Sequence, residues 1–392
     1  MFLLLCLGLC LMTTDVRGQD AVDPYEESNK LHMQWLEQFT SYLEASEYTE
    51  IRVFAAIHLR QSDDPKAKER GERLIADVID APDLDAVSLW LLASDCRWRE
   101  DVNRCVSPGV YERLLQADPQ NAAAILLQLN PSNHGGDELL LDTEFNRQLL
   151  SKAAEAGHFD VYWGRGADKL FEEALKFARL NPLPPTVGLE NTSYQDVKTR
   201  HHYAFNGVVA LVVSAPVFGY GNTVSLCRSQ VKNQNSDGVT ACKKLAYTLR
   251  NTGKTLLTRS IGFAIERTMS EVIDPDDPGV RHWQLRGDLS RLIHMCQTPV
   301  WQTKHQLLLD KDEAALMNWA KNLSDLGECQ GNRLTAIQEY NISEDHFIVD
   351  PADCDSLFSL SDKDVETLLD GRNPVTQWQT ILKDTLDFGE TN

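Results

Sequence analysis

The sequence predicts an all-α protein: an array of helical hairpins, tetratricopeptide-like in spacing, leading into an α-helical second half pinned by disulfides. Three observations predict it. Apolar residues recur three and four apart through most of the chain. The strict alternation that marks strands is almost absent. Pro, Gly, Asp and Asn punctuate the periodic segments at helix-length intervals, where helices start and stop.

The first 18 residues stand apart from this pattern. Phe2 to Met12 is an unbroken apolar run, followed by a polar stretch ending at Gly18. That is the hydrophobic and cleavage region of a secretory signal, although without a basic start. The run is too short to cross a bilayer, which takes about 20 apolar residues. Cleavage is expected after Gly18, with Val16 at the −3 position, so residues 1–18 are the signal peptide. Lipoprotein processing is disfavoured because Leu5 and Leu9 precede Cys6 and Cys10, where a small residue is needed.

Residues 19–180 are expected to form the N-terminal array. Asp23 to Glu44 carries Leu31, Trp35, Leu36, Phe39, Tyr42 and Leu43 at helical spacing. Ile51 to Leu59 gives a second helix. Asp64-Pro65 starts a third, with Pro at the first helical position, and Asp80-Ala-Pro82 breaks it. Asp83 to Cys96 is the next. Ser107-Pro108 opens another, and Asp118-Pro119 opens one over Ala122 to Leu129. The segments Arg52–Leu59, Ser88–Asp95 and Ala123–Asn130 share a pattern at a period of about 35 residues, the spacing of tetratricopeptide helix pairs. Leu115 to Leu129 fits best, with an Asp-Pro-x-Asn turn followed by alanines that let two helices approach. A loop at Asn130 to Asp137 precedes a helix pair at Glu138 to Ala156 and Phe159 to Leu180.

Asn181-Pro-Leu-Pro-Pro185 is a stiff linker and the expected boundary. Residues 186–325 form the second helical domain. Thr192-Ser-Tyr-Gln195 is a capping box opening a helix into the apolar run Gly207 to Phe218. Helices follow at Lys243 to Arg250, Thr255 to Val272, Val280 to Cys296 and Trp301 to Leu323, with an acidic turn at Asp274 to Pro278. Residues 326–392 are an irregular segment, Gly327 to Asp355, and a last helix over Asp362 to Asp387, split near Gly371 and Pro374.

Seven cysteines follow the leader. In an oxidising compartment local pairs are expected to bridge. Cys96 and Cys105 flank a short polar loop, and Cys227 and Cys242 flank Arg228 to Ala241, rich in Asn, Ser, Asp and Gly. Each pair would staple a hairpin, the second adding about 3 kcal/mol on a loop-entropy basis. Cys329 with Cys354 is a third pairing, leaving Cys296 as a buried apolar thiol.

Charge and hydropathy narrow the partners. Lys and Arg number 38 against 58 Asp and Glu, a net charge of −20, with no clustered basic run. Nucleic acid is therefore not an expected partner. The apolar run Gly207 to Phe218 is interrupted by Pro216 and reads as a buried helix, so no integral membrane segment is expected after signal cleavage. The expected location is periplasmic or secreted. Sequons at Asn191, Asn322 and Asn341 matter only in a eukaryotic host.

No compact catalytic motif is present. Gly-x-Ser-x-Gly and His-Glu-x-x-His are both missing. His201 and His202 diverge by about 100° on a helix and cannot easily share one ion, and His294 and Cys296 also diverge. Asp274, Asp276 and Asp277 lack the Gly and distal Glu of a calcium loop. Gly253-Lys-Thr255 has the tail of a phosphate loop without its first glycine, and reads as a helix C-cap. No metal and no cofactor are expected. Two polar-aromatic clusters remain: Tyr162 and Trp163 with Arg165, and Arg200, His201, His202 and Tyr203. They would line a groove if both face one concave surface.

Asp85 to Leu129, with its Leu-Trp-Leu-Leu core, paired cysteines and Asp-Pro-x-Asn-Ala turn, resembles uncharacterised secreted proteobacterial proteins with degenerate tetratricopeptide-like helices. So do His158-Phe-Asp-Val-Tyr-Trp163 and Cys227…Cys242 followed by Thr255 to Gly262. The resemblance spans roughly residues 85–265. It implies an exported helical protein and no particular chemistry. The expected function is binding of a protein or peptide by a helical array; the alternative is a cell-envelope hydrolase with catalytic residues dispersed through 159–218.

Overall fold

The computed structural model describes residues 24–97, 109–129, 142–181, 204–205, 207–212, 218–273, 281–286, 313–340 and 361–369. These residues are helical, with turns between, and include no β-strand; one isolated parallel bridge joins Asn121 and His158. The helices are α1 (Pro24–Glu44), α2 (Thr49–Arg60), α3 (Pro65–Val78), α4 (Ala86–Arg97), α5 (Val110–Ala117), α6 (Ala122–Leu126) and α7 (Glu144–Ala154). They continue as α8 (Ala167–Leu180), α9 (Tyr220–Lys232), α10 (Ser236–Thr252), α11 (Leu256–Ile273), α12 (Glu313–Tyr340) and α13 (Asp362–Leu369). Residues 204–205, 207–212 and 281–286 are also helical.

Side-chain caps set several of the starts. Asp64 accepts from Lys66 N, and Pro65 follows as the first helical residue of α3. Thr143 accepts from Asn146 N at the start of α7, and Asn235 accepts from Gly238 N at the start of α10. Each satisfies an amide that the first helical turn cannot.

The helices depart from the sequence reading in four places. Asn121, not Asp118, caps α6; its side chain accepts from Ala123 N at 3.0 Å. Asp118 ends α5 instead, and its carboxylate is used elsewhere. Residues 159–166 form a turn rather than the first part of a helix. Tyr162, Gly164 and Gly166 all have positive φ, which a right-handed helix does not accommodate. The polar segment 228–241 is mostly helical: α9 and α10 run past both cysteines and leave only Asn233–Asn235 as the tip. Ser229, Gln230, Val231, Gly238 and Ala241 are buried, whereas Lys232, Asn233 and Ser236 are exposed and Asn235 is the cap. Finally, α12 continues to Tyr340 across a break at Gly327, where an irregular segment was expected.

Packing follows the chain. α2 packs on α1, α3 and α4; α4 on α5; α5 on α6; α6 on α7; and α7 on α10, which also meets α9 and α11. α8 turns back to α1 and to α12. On α8, Phe177 sits 5.3–5.5 Å from the ring centres of Trp35, Phe39 and Tyr42. α2 is apolar on nearly every side, and Ile51, Val53, Phe54, Ala55, Ala56, Ile57 and Leu59 are all buried. Removing one such Phe or Ile from water contributes about 1.5–3 kcal/mol. Most of the buried apolar residues form one continuous cluster from Trp35 to Leu323. Of the linker 181–185 expected between two domains, Asn181 caps the end of α8 and the rest lies outside the described residues.

Cys227 on α9 and Cys242 on α10 form a disulfide, both fully buried. Cys96 is also disulfide-bonded; its expected partner Cys105 lies outside the described residues, as do Cys296 and Cys354. Among the described residues, no helix is long and apolar enough to cross a membrane.

Candidate functional site

The turn at 157–166 is the point where distant parts of the chain meet. Its backbone is bonded to the α5–α6 turn: Ala122 N donates to His158 O at 2.9 Å, and His158 N to Gln120 O at 3.2 Å. Asn121 completes the clamp. Its amide donates to Asp160 O at 2.8 Å, and its carbonyl accepts from Asp160 N at 3.0 Å. Asn121 is wholly buried, so these bonds are the ones its polar atoms require.

Side chains reinforce the same joint. Asp160 accepts from Tyr162 N at 2.7 Å and from Arg165 Nη2 at 3.0 Å. Arg165 Nη1 donates to the carbonyls of Ser324 and Asp325 on α12, and Gly166 N donates to Ser324 Oγ. Gly164 lies against Leu323, and a Cβ on it would fall 2.7 Å from Leu323 Cγ. The turn is thus wedged between α5–α6 and α12.

Asp118 Oδ2 accepts from the Tyr162 hydroxyl and lies 3.1 Å from His158 Nε2. An ionised carboxylate only accepts, so Nε2 carries the proton in this contact and the ring orientation is set by Asp118. Burial, then the bond to Asp118, push the Tyr162 phenol well above its ordinary range. Tyr162 is therefore a neutral donor at any ordinary pH, not a base.

His158 also borders a cleft of about 360 Å³. The other lining residues come from the end of α10 and the start of α11 (Asn251, Thr252, Gly253, Lys254, Arg259) and from Leu326 on α12. The two halves are tied together: Phe159 N donates to Thr252 Oγ1 at 3.0 Å, and that hydroxyl donates to Thr248 O at 2.8 Å. Arg259 is nearly buried, with Nε donating to Gly253 O at 2.9 Å. Leu256 N, in the first turn of α11, donates to Glu328 at 3.1 Å. Gly253 is the C-cap residue of α10, as its place in the sequence suggested, but with φ −58 rather than a left-handed backbone.

The residues singled out from sequence divide into two sets. Tyr162 and Arg165 are in the joint, and their polar tips bind Asp118, Asp160 and α12. Trp163 is half-buried against the core. Arg200, His201, His202 and Tyr203 lie outside the described residues. The cleft residues His158, Lys254 and Arg259 were not selected from sequence. His158 stands 93 or more residues before the lining segment 251–259, and no local spacing connects them. Among the described residues, no three His, Cys, Asp or Glu side chains are grouped so as to hold a metal ion.

Compared with family models, curated proteins and solved structures, the chain matches none of them significantly.

Proposed function

We propose that this chain is an exported helical-repeat protein that binds a protein or peptide partner. The observation that carries the reading is a set of side-chain bonds between successive hairpins at one recurring separation. Thr49 donates to Asp83, 34 residues on, at 3.0 Å. Arg60 donates to Asp95, 35 residues on, at 2.6 Å. Arg113 reaches back 34 residues to Ile79 O at 2.8 Å. Such a period is what stacked helix pairs of tetratricopeptide size require, with each unit bonded to the next. Arrays of this kind present extended surfaces to other chains. The Cys227–Cys242 bridge is compatible with an oxidising compartment, and the periplasmic or secreted assignment and the likeness to secreted proteobacterial proteins belong to the same proposal.

A second reading is favoured by one observation. His158, oriented by Asp118 at a cleft, has the second and third parts of a base-and-orienter arrangement. A cell-envelope hydrolase would use it as a general base.

One experiment separates them. The oxidised full chain is screened against a displayed peptide library and, in parallel, against a panel of peptide, ester and glycan substrates. Selected peptides whose binding survives repetition with purified components, with no turnover on the panel, support the binding protein. Turnover abolished by His158→Ala in a normally folded variant supports the hydrolase.

A further inference from the structure

We infer that α12 is a hinged strap across the cleft. Its outer half, residues 328–340, is closed on the α10–α11 junction at Gly327. It releases by continuing the inner half as one straight helix, and its release parts two walls of the cleft.

The backbone at the break is the first ground. Gly327 has φ 81 and ψ −177, inside an element that is otherwise helical from Glu313 to Tyr340. That backbone region is essentially closed to residues with a Cβ. No proline lies between Glu313 and Tyr340 to forbid a continuous helix. The local sequence thus permits the straight form, and contacts from elsewhere in the chain select the broken one.

Those contacts grip both sides of the break. On the inner side, Arg165 Nη1 donates to the carbonyls of Ser324 and Asp325, and Gly166 N donates to Ser324 Oγ at 3.1 Å. On the outer side, the Glu328 carboxylate accepts from Leu256 N at 3.1 Å. Between them Gly327 fits against Lys254: a Cβ there would lie 2.8 Å from Lys254 Cβ and 3.1 Å from Lys254 O.

Each bond given up on release has a replacement. In a straight helix the carbonyls of residues 324 and 325 accept well-aligned bonds from the amides of residues 328 and 329. Leu256 N lies in the first turn of α11, where an amide has no intrahelical acceptor and water can serve it. Arg165 keeps Asp160 through Nη2 at 3.0 Å. Two arrangements with matched bonding are what a two-position element needs.

The motion is confined to the outer half. The inner half is set in the core, with Leu316, Trp319, Ala320 and Leu323 no more than 3% exposed and the Trp319 ring centre 4.8 Å from that of Phe205. Lys254 and Leu326 line the cleft from opposite elements, and the Gly327–Lys254 contact joins them. Release of that contact widens the cleft. A ligand that fits the open form better shifts α12 toward it by the difference in affinity.

The test is native-state amide hydrogen exchange, read residue by residue on the oxidised full chain. Gly327→Ala disfavours the broken backbone and favours the helix. The variant should exchange the Leu256 amide about tenfold faster or more, while the amides of Glu328 and Cys329 exchange more slowly than in wild type. The Phe159 and Arg259 amides, on either side of the junction, should stay within about twofold. These opposed changes separate a hinge from a fixed corner, because simple damage to a corner speeds exchange on both sides. Faster exchange at Leu256, Glu328 and Cys329 together, or an unchanged Leu256 rate, overturns the inference. A denaturant series on wild type decides the matter if Gly327→Ala does not fold. Leu256 exchange should then be flat at low denaturant, as a local opening requires. A Leu256 rate that climbs in step with that of Leu245, in the middle of α10, overturns the inference as well.

Discussion

Asp95 on α4 is buried, with Arg60 Nη1 on α2 at 2.6 Å. Desolvation outweighs that attraction and pushes its carboxyl up to about 6, from 3.8 in an unfolded chain. The folded protein thus holds a proton that the unfolded chain has released. The contribution of this group to stability is fully present below about pH 4 and is lost as the pH rises through about 6. Comparing wild type with Asp95→Asn by chemical denaturation at pH 4 and pH 7 isolates it, since the variant has no proton to exchange at this site. Wild type should be more stable relative to the variant at pH 4 than at pH 7, by about 1–3 kcal/mol. The opposite sign would mean that the ion pair with Arg60 dominates burial. Residue-scale chemistry of this kind was hard to read beforehand. Asp118 read as part of the Asp-Pro-x-Asn turn that opens a helix, yet its carboxylate faces His158 and Tyr162, 40 and 44 residues away. Tyr162 and Arg165 were readable as polar aromatic and cationic groups, but not as parts of an internal joint, since their partners are on α5 and α12.

At the level of helices the sequence was far more informative, because caps and apolar spacing act over a few residues. Asp64-Pro65 starts α3 where expected, and α1 and α2 match their periodic runs within two residues. The misread boundaries arose where composition conflicted with packing. The polar run 228–241 suggested a loop, but an amphipathic helix tolerates such residues on its outer face, and the Asn235 cap supports an immediate restart. One close contact was equally hidden. Gly71 on α3 faces α2, and a Cβ there would lie 2.8 Å from both Ala56 O and Arg60 N. Gly71→Ala should therefore destabilise the protein by about 1–3 kcal/mol through overpacking. This outweighs the roughly 0.5–1 kcal/mol that Ala normally gains over Gly inside a helix. A thermal or urea melt reads the sign directly, and a stabilised variant would show that α2 and α3 can separate at little cost. The α9–α10 hairpin invites a second measurement. Replacing Cys227 and Cys242 together by Ser should lower stability by about 3 kcal/mol, mainly through the unfolded chain. Because both sulfurs are buried, reductant should act on wild type only once the hairpin opens.

Across the whole molecule, the chain brings its ends of hairpins together through a few long-range joints, and those joints make the cleft. His158 and Thr252 come from segments that share no local pattern, and the Phe159–Thr252 bond that unites them depends on both turns being complete. Sequence periodicity reports which face of a helix is buried and says nothing of which loops will meet. The fold class was therefore legible from spacing, while the cleft required three-dimensional placement. Cysteine usage lies between these cases, since one pair was close enough in sequence to be read. It also supports a test of the molecule as a whole. Nine cysteines are present, two of them, Cys6 and Cys10, in the apolar N-terminal run. Cys227 and Cys242 bridge each other, and Cys96 is bonded to a further cysteine. Protein recovered from outside the cytoplasm, denatured without reductant and titrated with a thiol reagent, should show no more than three reactive thiols if it starts at Gln19. Intact mass gives the N-terminus in the same sample, so processing and oxidation are read independently. Seven titrating thiols on a correctly processed chain would mean that the hairpins hold by packing alone. Under the same outcome, the proposal of an oxidising destination would lose its chemical support.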